Sequence, residues 1–373
     1  MSATATVPWM MNPADFQAVW SDFFTKLAYL PKAMEVAKKV RVGATPTDTV
    51  LRIDKMRLLH YVSTVRAQFE TPLLVVFALV NRPYILDLRP GKSVVAHFVD
   101  RGLETYNLDW GVPSDGDRFL GLDDYIEGQL DPVVDFLRER HHCESINMLG
   151  YCMGGSMTAM YAALHPEKVK NFIMLAAPVD WSAKDHLLGK WTDPSVFDVD
   201  KLIEVYGNAP AELLQGSFMM LKPVSTLFEK YFSFYENMDD EKYLEDFFAM
   251  ETWLNDNIPV AGEMFRQFVK YCMQQNKLVR GELRIGGKHV NLSEITCPIL
   301  NLVALNDHLV PKELSLPLND YVGSKDKESI VFPAGHIGLA VGSKSNRELW
   351  PKAADWLAKR SVPKRGPQSL PGA

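Results

Sequence analysis

Six residues fix most of what this chain can be: Gly150-Tyr151-Cys152-Met153-Gly154-Gly155. An apolar run, Ile146 to Leu149, precedes them, and a helix-forming run, Ser156 to Leu164, follows. A strand that turns sharply into a helix, with glycine two positions either side of a nucleophile, presents that nucleophile at the tip of a tight elbow. The flanking residues must be tiny because the turn is strained and neighbouring backbone passes close. The side chain presented is a thiol, which needs less activation than a hydroxyl because its ordinary pKa is about 8.5.

The rest of the chain supplies a framework for that elbow. Thr49 to Ile53 and Leu58 to Tyr61 pattern as an antiparallel edge pair. Leu73 to Leu79 is a near-continuous apolar run, as expected of a strand covered on both faces. Further strands are expected at Ser93 to Val99, Ile146 to Leu149, Asn171 to Ala177, Ile299 to Leu305 and Ser329 to Pro333, with helices at Gly121 to Arg138 and Ser156 to Leu164 between them. Alternating strand and helix implies a mostly parallel sheet with helices on both faces. Together with the elbow, this predicts an α/β class chain with the α/β-hydrolase fold.

Between Asp180 and Leu292 the strand pattern lapses and aromatics crowd in, from Trp181 and Trp191 through Phe228, Tyr231 and Phe232 to Trp253, Phe265 and Phe268. A mainly helical cap inserted before the strand carrying the acid would lie over the carboxyl ends of the strands, where such sheets bind ligands. A second small core explains the same aromatics equally well. The expected organisation is a helical N-terminal extension over 1–44, a core over 45–180 and 293–360, a cap over 181–292 and a disordered Pro/Gly-rich tail over 361–373. The extension repeats Phe16, Val19, Trp20, Phe23, Leu27 and Leu30 at helical spacing. It is expected to pack on its own domain, with a partner-binding surface as the alternative.

Bulk properties narrow the classes. At 373 residues the chain can hold one large domain with an insertion, or two domains. A net charge of −6 gives no electrostatic reason to expect nucleic acid. Sixteen Met and 19 Phe hint at a greasy substrate or partner site. Cys143, Cys272 and Cys297 read as small buried residues, and the four cysteines lack metal-site spacing. The first 13 residues lack the basic start and apolar stretch of a signal peptide, so reduced thiols in a cytoplasm are expected. Leu73 to Val80 is too short to span a bilayer.

A thiol nucleophile needs a base, and the base needs an orienting group. Asp307 follows the strand Ile299 to Leu305, and His336 lies between Gly335 and Gly338 after the strand Ser329 to Pro333. Both fall where catalytic side chains should project, in the order nucleophile, acid, histidine. The other histidines compete poorly: His141 and His142 end a charged helix and should face solvent, and His60, His97, His165, His186 and His289 lack a matching position. His308 neighbours Asp307 and is a possible supporting residue, more simply one that holds the loop by a hydrogen bond. An oxyanion formed on attack needs two backbone N–H donors. Met153, directly after the nucleophile, and Val80, in the loop after Leu73 to Leu79, are the candidates.

With these residues in place, the chain resembles the catalytic subunit of class III polyhydroxyalkanoate synthases. The matching segments are Leu73 to Leu86 (LLVVFALVNRPYIL), Asp109-Trp110-Gly111, GYCMGG, Trp253-Leu254-Asn255-Asp256, Asn306-Asp307-His308 and Ala334 to Gly338 (AGHIG). They span roughly Val50 to Trp356, and the short chain also favours class III. The resemblance implies acyl transfer: Cys152 accepts an (R)-3-hydroxyacyl group from coenzyme A as a thioester, and the hydroxyl of a second unit or a growing polyester chain then attacks it. The 3-hydroxybutyryl thioester is the family's expected substrate. His336 would serve as base, and Asp307 either orients His336 or activates the attacking hydroxyl. No cofactor is implied, since the coenzyme A thioester is the substrate. A smaller companion subunit, homo- or hetero-oligomers, and a cytoplasmic site on polyester granules are implied as well. Two alternatives stand beside this reading: a cysteine-dependent hydrolase of thioesterase or dienelactone-hydrolase type, with water as acceptor, and a non-catalytic scaffold, against which the intact triad argues.

Overall fold

The computed structural model describes residues 13–364. Its centre is an eight-stranded sheet made of β1 (Thr47–Ile53), β2 (Met56–Tyr61), β3 (Leu73–Val76), β4 (Thr105–Asp109), β5 (Ile146–Tyr151), β6 (Val169–Leu175), β7 (Ile299–Ala304) and β8 (Lys327–Phe332). The spatial order is β1-β2-β4-β3-β5-β6-β7-β8. The hairpin β1–β2 is antiparallel, β2 joins β4 antiparallel, and every other neighbour from β4 to β8 runs parallel. β3, β5 and β7 are buried along their whole length, as covering on both faces requires. The parallel strands all end on one edge, so that edge collects whatever follows them.

Two strand assignments change. The run Ser93 to Val99 is not a strand: Val94–Val99 is a short helix, with the Ser93 hydroxyl accepting from the Ala96 N–H at 2.9 Å. So short a run, mostly apolar, carries too few positions to separate strand from helix by period, and here the N-cap decides. The strand in that region is β4 instead. Its Thr105, Asn107 and Asp109 hide it, because polar residues are not expected on a buried face. Each has a partner: Thr105 bonds the Leu103 carbonyl at 2.9 Å, Asn107 donates to the Tyr61 hydroxyl at 3.1 Å, and Asp109 pairs with Arg57, while the buried Asn107 Oδ1 is left without one. β3 also stops at Val76, so Phe77 to Leu79 continue as buried loop.

The interval between β6 and β7 is a helical insertion. It holds helices at Leu187–Trp191, Val199–Tyr206, Ala211–Met220, Lys230–Glu236, Glu241–Asn255 and Gly262–Gln267, and a small hairpin at Arg284–Ile285 and Lys288–His289. Trp181, Trp253 and Phe268 from this insertion join the main core cluster, so the cap shares the core of the sheet rather than building its own. Phe228, Tyr231 and Phe232 stay exposed. Arg89 ties the cap down through Asp246, at 2.6 Å, and Glu245.

The N-terminal helices Pro13–Ala28 and Leu30–Lys39 dock on the cap, not on the sheet. Ala33 and Val36 bury against Leu244, and Lys26 bonds the Glu236 carbonyl at 2.6 Å. Val19, Trp20, Phe23 and Phe24 remain exposed. Residues 1–12 of the expected extension and 365–373 of the expected disordered tail lie outside the described residues. The start of that tail corrects the expectation: Ser361–Lys364 is pinned along 68–71. Glu70 N–H bonds Val362 O at 2.8 Å, Lys364 N–H bonds Gln68 O at 2.7 Å, and buried Ser361 accepts from Asn147 at 2.9 Å. Among the described residues, no helix is long and apolar enough to cross a membrane.

Candidate active site

The elbow is built by close backbone contact. Cys152 lies between β5 and the helix Met153–Leu164 with φ 55°, a conformation L-residues avoid and one that marks stored strain. A Cβ on Gly154 would overlap the carbonyl oxygens of Val76 and Phe77, and one on Gly155 would overlap Ala177. The glycines therefore let the first turn of the helix press onto the ends of the neighbouring strands. Gly154→Ala is expected to destabilise the protein by about 3 kcal/mol through overpacking. Gly216→Ala, in open space on a cap helix, should be neutral or slightly stabilising. Thermal melting of the two variants checks the contrast.

The structure brings the three expected catalytic candidates to one edge of the sheet. Cys152 follows β5, Asp307 follows β7, and His336 follows β8, at the start of the helix His336–Val341. His336 Nδ1 lies 2.6 Å from Asp307 Oδ2. With Nδ1 so engaged, the other ring nitrogen is left for Cys152, whose charge also acts on the imidazole. The Asp307 side chain is fully buried and the His336 side chain is 13% exposed. Burial opposes charging of the imidazole, but the negative charges of Asp307 and then Cys152, with their hydrogen bonds, outweigh it. The result is a His336 pKa raised to about 10. The site therefore favours the protonated imidazole of His336.

Asp307 also holds its own loop. Its Oδ1 accepts the N–H groups of Leu309, at 2.9 Å, and Val310, at 2.8 Å. The loop-holding role expected of His308 thus falls to Asp307, and His308 is exposed. A further residue escapes the sequence pattern. Tyr151 stacks on His336 with ring centroids 5.1 Å apart and donates its hydroxyl to the His336 carbonyl at 3.2 Å. The aromatic character of the residue before the nucleophile was its only signal.

Met153 is the first residue of the elbow helix, where an N–H has no intrahelical partner. Val80 ends the buried segment that follows β3, and the carbonyls of Val76 and Phe77, leading into that segment, lie against Gly154. Met153 thus lies at the elbow itself, and Val80 lies three residues beyond Phe77, whose carbonyl faces Gly154.

The other cysteines and histidines serve elsewhere. Cys272 is buried, whereas Cys143 and Cys297 are only partly so. Burial raises all three thiols, Cys272 and Cys297 to about 12. His141 is not solvent-facing as expected: it packs edge-on to Tyr106, 2.8 Å from its hydroxyl, and burial lowers its pKa to about 4. His60 pairs with Glu104 at 2.7 Å, and His165 with Glu127 at 3.1 Å.

Comparison with known proteins follows the same lines. Residues 91–343 match the family described as alpha/beta hydrolase fold. Residues 17–98 match the poly-beta-hydroxybutyrate polymerase (PhaC) N-terminus. The monoacylglycerol lipase of Paleococcus ferrophilus shares the fold with a TM-score of 0.51, at 17% identity over 80% of this chain and 99% of that one. The poly(3-hydroxyalkanoate) polymerase subunit PhaC of Haloferax mediterranei is 45% identical over 88% of this chain, which spans 66% of that relative. The subunit of the same description from Allochromatium vinosum is 40% identical over 91% of this chain and 96% of its own length. Matched over nearly all of its length to such a relative, and resembling class III catalytic subunits in its motifs, the chain belongs to the poly(3-hydroxyalkanoate) polymerase subunit PhaC family.

Proposed function

We propose that this chain polymerises (R)-3-hydroxyacyl-CoA, with 3-hydroxybutyryl-CoA as the preferred substrate, through an acyl thioester on Cys152. The observation that carries the reading is the thiol on a strained elbow, at the same sheet edge as a histidine that a buried carboxylate holds. The Cys152 thiolate attacks the thioester carbonyl, and the oxyanion is met by the N–H groups of Met153 and Val80. The CoA thiolate leaves and takes the imidazolium proton of His336. Neutral His336 then accepts the proton of the incoming hydroxyl as its oxygen attacks the Cys152 thioester. Transfer of the acyl group restores the thiolate and lengthens the polyester by one unit.

Geometry supports the orienting role for Asp307 over direct hydroxyl activation. One carboxylate oxygen is committed to His336 and the other to two backbone N–H groups, and the side chain is wholly buried. A substrate hydroxyl therefore meets His336, not Asp307. The cap packed onto the core supports exclusion of water, which separates transfer from hydrolysis.

The reading extends to a companion subunit of the class III type, oligomers formed with it, and work at the surface of polyester granules in the cytoplasm. The test is a product assay with the companion subunit and (R)-3-hydroxybutyryl-CoA. CoA release with accumulation of insoluble polyester is expected. Free hydroxy acid as the sole product would sink the polymerase reading and favour a cysteine hydrolase.

A further inference from the structure

Two segments joined across 171 residues meet at the turn after Val80. The first is the turn that follows Val80. Asn81 holds it in the left-handed region at φ 66°, and Pro83–Leu86 closes it as a short 3-10 turn. The second is the end of the cap helix Glu241–Asn255. Buried Trp253 donates its indole N–H to the Arg82 carbonyl at 2.8 Å. Asp256 accepts from Arg82 Nε at 3.2 Å and from the Tyr84 hydroxyl at 3.1 Å. On its other side, the buried loop leading to this turn is fixed by Trp110, which donates to the Phe77 carbonyl at 2.9 Å.

We infer that Trp253 and Asp256 are positioning residues of the cap that hold the Val80 N–H in register with that of Met153. The inference rests on the oxyanion reading above and deepens it. The Arg82–Asp256 pair has side chains 25% and 42% exposed, so its charge attraction contributes little stability. What the three bonds add is geometry: they fix the Arg82 carbonyl and the Arg82 and Tyr84 side chains, two and four residues after the oxyanion candidate Val80. Cap and oxyanion site thereby become one mechanical unit. A donor displaced by an ångström loses most of its effect on the transition state, where removal of one costs about 10²–10³ in kcat.

The test uses the complex with the companion subunit and reads initial CoA release together with alkylation of Cys152 by iodoacetamide. Alkylation consumes the thiolate without forming an oxyanion. Trp253→Phe removes the indole N–H together with the pyrrole part of a buried ring, so its melting temperature is read alongside; Asp256→Asn removes the charge and the oxygen that accepts the Tyr84 hydroxyl, and Tyr84→Phe removes that hydroxyl, with little change of shape. Each is expected to lower kcat about tenfold with KM within about twofold and alkylation unchanged. The Tyr84→Phe/Asp256→Asn pair should be no slower than Asp256→Asn alone, because Asp256→Asn already removes the oxygen that accepts the Tyr84 hydroxyl. Native kcat in Trp253→Phe and Asp256→Asn would overturn the inference, as would alkylation slowed in proportion to kcat. Failure of the parent reading looks different: alkylation of Cys152 in the unsubstituted protein would leave turnover intact.

Discussion

Cys152→Ser is expected to lower CoA release by about 10³-fold or more while the melting temperature moves by no more than about 2 °C. The substitution exchanges sulfur for oxygen at a half-buried position and keeps the strained backbone that the surrounding packing enforces. Stability therefore changes little. Chemistry changes greatly, because the imidazolium that stabilises a thiolate cannot hold an alkoxide, whose conjugate acid is far weaker. An acyl-serine would also be an ordinary ester, less reactive toward the next hydroxyl than a thioester. Both half-reactions slow. Wild-type polymerisation by this variant would refute the assignment of the nucleophile.

Asp307→Asn is expected to cost about 10²–10⁴-fold in turnover, measured as initial CoA release. The asparagine oxygen can still accept from Leu309 and Val310, so the loop survives. Its amide nitrogen then faces His336 Nδ1 as a donor and reverses the tautomer. The change should also show in stability against pH. The folded pKa of His336 is raised from the ordinary value of about 6.5 to about 10. A raised pKa contributes stability that is fully present below about 6.5 and is lost as pH rises through about 10. The native protein should melt above Asp307→Asn near pH 6, and the gap should close toward pH 10 and above. A gap that widens with pH would mean that Asp307 is not holding an imidazolium.

Much of this site was legible because each part carries its own local mark. The elbow has its glycines, Asp307 ends a buried apolar strand, and His336 sits between glycines after the next one. Local marks also explain the errors. Val94–Val99 is short and, apart from His97, apolar, so its helix is announced chiefly by the Ser93 cap. β4 carries the buried polar residues Asn107 and Asp109, whose partners Tyr61 and Arg57 lie far away in the chain. Tyr151 stacking on His336, and Trp253 reaching the Arg82 carbonyl, join residues 171 or more positions apart. No periodicity announces such pairs, because long-range packing alone creates them. Trp253 and Asp256 did stand out through resemblance, but their role emerges only where the cap meets the turn.

The most direct test of the central claim is rapid-quench mass spectrometry of the Cys152 peptide during turnover of (R)-3-hydroxybutyryl-CoA. The account predicts that this peptide gains one or more hydroxyacyl units, that hydroxylamine removes them, and that Asp307→Asn accumulates them more slowly. Continued polymer growth with an unmodified Cys152 peptide, or with the acyl chain carried on another residue, would contradict it.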